Sequence, residues 1–200
     1  MPQNEENILL ILSSPSGVGK TTLTKKIQQK YQNFIISVSH TTRIPRENEV
    51  DGVDYNFVTK KKFEDLIKEN KFYEYAKIFQ NYYGTLKSNV DNIIKKNDIL
   101  FDIDWQGTKQ LSKFKNLNLV KIYLTTENKK ELKQRLIKRN QNSPEEVEKR
   151  FNSFEEDIKH WNDYDYIIIN KNLEVCFKQI EKIIKSEKIS QQISYNSVIL

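Results

Sequence analysis

The chain has 200 residues, a formal net charge of +6, one cysteine and two histidines. This length suits one core with a small inserted lobe and excludes two ordinary domains in tandem. Cys176 alone excludes an internal disulfide and a cysteine zinc cluster, while His40 and His160 offer little for a metal site built on protein nitrogen.

The opening MPQNEENILLIL is acidic ahead of its apolar run and lacks the positive flank of a signal peptide, and no apolar stretch reaches spanning length. A soluble protein of the reducing cytoplasm is expected, with no membrane partner. Lysines alternate with acids in stretches such as KKKFEDLIK, which reads as a solvated helix surface and not as a nucleic-acid-binding face.

In chain order, residues 1–7 read as a tail and residues 8–12 as a buried parallel strand, followed by a loop and a helix through TTLTKKIQQKY. A strand is predicted over 34–38, a short one at DYNFV, and a helix over 60–70 with Phe63, Leu66 and Ile67 on one face. KFYEYAKIF and NYYGTLK alternate like antiparallel edge strands. A helix near 88–96, the strand DILFDID, a helix from Gln106 and the strand LVKIYLTT follow. A charged helix is predicted over 128–139, and Ser143-Pro144-Glu145-Glu146 starts another, with serine as cap and proline in the first turn. YDYIIIN is the last strand, a helix over 173–186 closes the body, and a polar extension covers 191–200. Helices interleaved with apolar strands predict an α/β fold with a doubly wound, mainly parallel sheet; residues 37–87 leave that rhythm and read as an inserted lobe.

SSPSGVGKTT, residues 13–22, has the strand–loop–helix setting and nearly the G-x-x-x-x-G-K-[ST] spacing of a phosphate loop, with Ser14 in place of the first glycine. Backbone N–H groups from Ser14, Pro15 onward through Ser16, Gly17, Val18 and Gly19 to Thr22 would surround a phosphate; proline itself has no N–H to give. Lys20 would reach the β- and γ-phosphates, and Thr21 would offer its hydroxyl to Mg²⁺. Glycine at position 14 would serve backbone geometry alone, so the serine bears on the fit of the loop and not on its chemistry. Asp102, closing a buried strand, suits a carboxylate that orders magnesium through water, and Asp104 two residues on is predicted to face the same side. Either acid is also explained as a loop cap.

With SVSHTTRIPRENEVDGVDYNF, KFYEYAK, NYYGT and DIDWQG, the chain resembles guanylate kinase from about residue 8 to 184. The resemblance implies a nucleotide-binding core (8–36, 88–135 and 156–190), a GMP-binding lobe (37–87) and a helical lid (136–155). It implies that Arg43, Arg46, Tyr55 and Tyr83 hold the GMP phosphate, and that Glu74 reads guanine with Ser39, Thr85 and Asp104. Arg135, Arg139 and Arg150 match arginines that close on the ATP phosphates, and Asn170 matches a position near adenine. The chain departs from the family pattern at Ser14 and Asn140, both usually glycine; asparagine tolerates left-handed backbone.

The implied reaction is ATP + GMP ⇌ ADP + GDP with Mg²⁺ accompanying ATP, carried by Lys20, Arg43, Arg135, Arg139 and Arg150 in a monomer or homodimer. Three other readings stand beside it. A non-catalytic guanylate-kinase-like module would be expected to lack Lys20 or the arginines. Another nucleoside monophosphate kinase would lack the Glu74–Thr85 pair. A GTPase would carry N-K-x-D, a pattern that NKNLE breaks at Leu173.

Overall fold

A computed structural model of the protein describes residues 7–138 and 144–198. The first apolar run forms β1 (Leu9–Ser13), buried at every position as a strand covered on both faces must be. It feeds α1 (Lys20–Lys30) and β2 (Phe34–Ile36). Next come β3 (His40–Thr41), β4 (Asn56–Phe57), α2 (Lys60–Lys68), β5 (Phe72–Ile78) and β6 (Asn81–Leu86). The remainder is α3 (Lys87–Ile93), β7 (Asp98–Asp102), α4 (Trp105–Leu111), β8 (Leu119–Thr125), α5 (Lys129–Lys138), α6 (Pro144–Ile158), β9 (Tyr166–Ile169) and α7 (Leu173–Val198).

The main sheet is parallel, ordered β2-β7-β1-β8-β9, so β1 lies at its centre between β7 and β8. Alternate residues of β1 feed two cores. Leu10 and Leu12 pack with α1, α5 and α7, while Leu9 and Ile11 pack with Val90, Leu111 and Tyr123 on the other face. A second sheet, ordered β4-β3-β6-β5, comes entirely from the segment between β2 and α3. The doubly wound α/β reading therefore holds, with an additional mixed sheet.

Several elements differ from the sequence reading. The strand expected to continue through Asp104 ends at Asp102, because Asp104 turns to cap α4, its carboxylate accepting from the Gly107 N–H at 2.9 Å. The two acids thus do not share a strand face. The two-residue β3 was not anticipated; it is held by pairing with β4 on one side and, across more than forty residues, with β6 on the other. The last helix runs on to Val198, beyond the expected end at 186. Beyond that point Lys188 pairs with the fully buried Asp98 at 2.6 Å, which ties the extension to the sheet. Among the described residues no helix is long and apolar enough to cross a membrane.

Candidate active site

The β1–α1 loop lies at the C-terminal edge of the main sheet, where parallel α/β sheets hold ligands. Gly17 and Gly19 have φ of +89° and +109°, values that a side chain would strain. Space argues the same way: a β-carbon at Gly17 would sit 3.1 Å from Leu132 and Leu136 of α5, and one at Gly19 3.0 Å from Asn170. Ser14 is different. Among the described residues only Asn70 and Phe79 are non-glycine residues at positive φ, so position 14 needs no glycine backbone. Its hydroxyl donates to the Pro15 carbonyl at 2.9 Å.

Lys20 begins α1 and points to the end of β7, where its ammonium pairs with Asp102 at 2.6 Å and donates to the Ile103 carbonyl at 3.2 Å. Enclosure alone would lower its pKa, but the charge and hydrogen bond of Asp102, with help from Asp104, raise it above the usual lysine value. The amine is therefore a fixed cation. Ser14, Pro15, Ser16, Gly17, Gly19, Lys20 and Thr21 all line one cleft of about 410 Å³. Val18 is buried beneath the loop, and Thr22 faces solvent on α1. Asn170, 2 % exposed, stands behind the loop: its amide donates to the Val18 carbonyl at 2.6 Å and its carbonyl accepts from Cys176.

The opposite wall is the second sheet. Alternation along β5 buries Phe72, Glu74 and Ala76, so a carboxylate occupies a position that strands usually give to an apolar residue. Register places Thr85 directly across from Glu74, next to a β-bulge, and the Thr85 hydroxyl donates to Glu74 Oε1 at 2.6 Å. Burial pushes the Glu74 carboxyl up to about 7, against the opposing hydrogen bonds from Thr85. Asp104 is also raised by burial, despite the N–H groups of its cap. Ser39, Arg43, Arg46, Tyr55, Tyr83 and Asp104 line the cleft with Glu74, and Thr85 stands behind.

Sequence reasoning missed Glu49, which braces both arginines of this wall. Its carboxylate accepts two bonds from Arg43 Nη2 at 2.7 and 2.8 Å, another from the Arg46 N–H at 2.9 Å, and pairs with the Arg46 guanidinium at 3.5 Å. The Arg43 guanidinium also lies over the Tyr55 ring at 5.3 Å. An acid three and six residues from two arginines was the available signal.

The third wall is α6. Arg150 lines the cleft, its Nη1 3.5 Å from Ser16 Oγ and its guanidinium 5.9 Å from the ring of Phe79 at the β5–β6 turn. Asp157, the penultimate residue of α6, also faces the cleft and was not anticipated. Burial, with Asp104 nearby, pushes its carboxyl up to about 6, against a hydrogen bond from the Trp105 indole. Arg135 is not brought to the cleft; it pairs with Glu131 on its own helix. Arg139 and Asn140 lie outside the described residues.

Five basic side chains (Lys20, Arg43, Arg46, Lys77 and Arg150) and five acidic ones (Glu74, Asp102, Asp104, Glu156 and Asp157) line the cleft, which is formally balanced. The loop wall offers backbone N–H groups and Lys20, a chemistry that suits phosphates. The wall of the second sheet sets the arginine pair Arg43 and Arg46 beside the buried Glu74 carboxylate, so it can take an anionic group at one end and adjacent N–H donors at the other.

Comparison with known proteins gives the same answer. A family model described as guanylate kinase matches residues 6–187. A guanylate kinase of Rickettsia bellii is 44 % identical over 92 % of this chain and 96 % of its own length. One from Paramagnetospirillum magneticum is 39 % identical over 94 % of this chain and 89 % of its own. The crystal structure of guanylate kinase from Anaplasma phagocytophilum superposes with a TM-score of 0.75 at 32 % identity, covering 91 % of this chain and 86 % of that one. A phosphate loop facing a buried acid and paired arginines, in a chain matched along nearly its whole length, has one placement: the chain belongs to the guanylate kinase family.

Proposed function

We infer that the protein transfers the γ-phosphoryl group of ATP to GMP, giving ADP and GDP, a step of purine nucleotide metabolism. The observation that carries this reading is the buried Glu74–Thr85 pair in the same cleft as the phosphate loop and Lys20. Guanine presents N1–H and a 2-amino group side by side, and one carboxylate accepts both. Adenine has no N1–H and would leave buried acceptors unpaired, a mismatch worth about 10⁴-fold or more in discrimination.

In this reading residues 8–36, 88–135 and 156–190 form the ATP-binding core, 37–87 the GMP lobe and 136–155 the lid. Arg43, Arg46, Tyr55 and Tyr83 receive the GMP phosphate, since guanidinium forks and phenol hydroxyls suit its oxygens. Glu74, Ser39, Thr85 and Asp104 receive the base. Loop N–H groups and Lys20 receive the ATP phosphates, and Arg150 adds charge from α6. Arg135 and Arg139 would join by lid closure, and Asn170 supports the loop from behind.

A GMP phosphate oxygen attacks the γ-phosphorus in line. It needs no general base, because the second pKa of a phosphate monoester is about 6. Catalysis is then positioning and charge: Lys20 and the arginines hold two polyanions together, and the closed lid excludes water. Mg²⁺ fits here as an ion carried in with ATP. Among the described residues no three acidic, histidine or cysteine side chains are arranged to hold a metal by themselves, whereas Thr21 and Asp102 line the cleft with hard oxygen donors. The ion would supply charge neutralisation of the transferred phosphoryl group. The single buried cysteine suits a reducing cytoplasm.

A coupled ADP-release assay with GMP, AMP, CMP and UMP tests the reading. Wild type should turn over GMP far above the others, Lys20→Ala should lose activity, and Glu74→Gln should lose selectivity. Equal rates with AMP would sink the guanine assignment.

A further inference from the structure

Gly107 lies in the first turn of α4, where its φ is not positive and helix geometry gives no reason for glycine, a poor helix former. Its reason is Glu74. A β-carbon built on Gly107 would stand 2.5 Å from Glu74 Oε2 and 3.1 Å from Cδ, closer than any non-bonded carbon–oxygen contact allows. The carboxylate is therefore wedged between two fixed features, with Oε1 on the Thr85 hydroxyl at 2.6 Å and Oε2 in the space left by the missing side chain. Little else can yield. The Gly107 N–H is committed to Asp104 Oδ1 at 2.9 Å, and α4 packs directly on β5.

We propose that Gly107 is the specificity-positioning residue of the base pocket: its bare α-carbon is the seat that aims the Glu74 carboxylate at the purine edge. Any side chain at position 107 turns that carboxylate away while leaving the phosphate loop and the arginines untouched. This rests on Glu74 as the reader of guanine.

The test is steady-state kinetics on Gly107→Ala, Glu74→Asp, the double variant and Glu74→Gln, with circular dichroism of each. Gly107→Ala should raise the KM for GMP by about tenfold or more, with the KM for ATP changed less than about twofold, since sub-ångström misplacement of a binding group is costly. Aspartate is one methylene shorter and withdraws its oxygens from the added methyl group. The double variant should therefore bind GMP no worse than Glu74→Asp alone. An unchanged GMP KM in Gly107→Ala while Glu74→Gln raises it overturns the positioning role, as does a double variant whose loss is the product of the two single losses. Should Gly107→Ala fail to fold, the comparison of the double variant with Glu74→Asp decides alone. Unchanged GMP selectivity in Glu74→Gln is a different failure, that of the Glu74 reading itself.

Discussion

At the Glu74 carboxyl two demands conflict. Burial holds its pKa at about 7, so near neutral pH the empty site is partly protonated, yet an acceptor of two guanine donors must be ionised. As pH falls from 8 to 6 the ionised fraction drops roughly tenfold, and the KM for GMP should rise by about that factor. The same series on Glu74→Gln should retain only the part due to the phosphate of GMP. For stability the sign is opposite. The folded pKa lies above the ordinary 4.5, so the group favours folding fully below 4.5 and loses that contribution as pH rises through about 7. Thermal melts should show Glu74→Gln gaining on wild type at pH 8, by no more than about 3 kcal/mol, and essentially no gain below pH 4.5. At this scale the sequence reading identified Lys20, Glu74, Arg43 and Arg46 as residues that meet in the cleft. It missed Glu49 and Asp157 because an isolated acid looks like any surface charge until its partners are folded against it.

Among the elements, the phosphate loop was legible because strand, loop and helix are contiguous and each carries a local signal. Its serine is now explicable: Ser14 sits in ordinary backbone and spends its hydroxyl on the next carbonyl. Ser14→Gly should therefore change ATP affinity by less than about tenfold, roughly 1.4 kcal/mol, in a binding titration; a larger change would give the serine a role in holding the nucleotide. The end of α7 was not legible, since its determinant is a partner ninety residues away. Asp98 is fully buried, its Oδ1 accepting from the Ile8 N–H at 2.9 Å and its Oδ2 facing Lys188. Lys188→Met strands that carboxylate and should cost about 2 kcal/mol in urea unfolding, less than for a fully enclosed pair because Lys188 keeps contact with water. Truncation after residue 186 should cost at least as much. The same cause hid β3, whose partners are supplied by tertiary pairing, whereas the turn of Asp104 is a local cap on Gly107 that competed with the strand reading.

Across the whole molecule, a mainly parallel sheet and an inserted lobe were legible from helices interleaved with apolar strands, while the strand order and the meeting of three walls in one cleft needed the fold itself. That cleft is formally balanced although the chain carries +6. Lys20 is already answered by Asp102, and Arg43 by Glu49. At pH 8, where Glu74 is ionised, a balanced cleft has little long-range pull on an anion, so the excess positive charge lies elsewhere on the surface and does not steer substrate inward. Raising potassium chloride from 50 to 300 mM should therefore lower kcat/KM for GMP by less than about threefold, against the steep fall of an electrostatically guided encounter. A steep fall would mean that the cleft acids do not offset its bases. The enzyme would thus collect its nucleotides by ordinary diffusion and select them only at contact, where free phosphate and other small anions find Lys20, Arg43 and Arg46 already engaged by carboxylates.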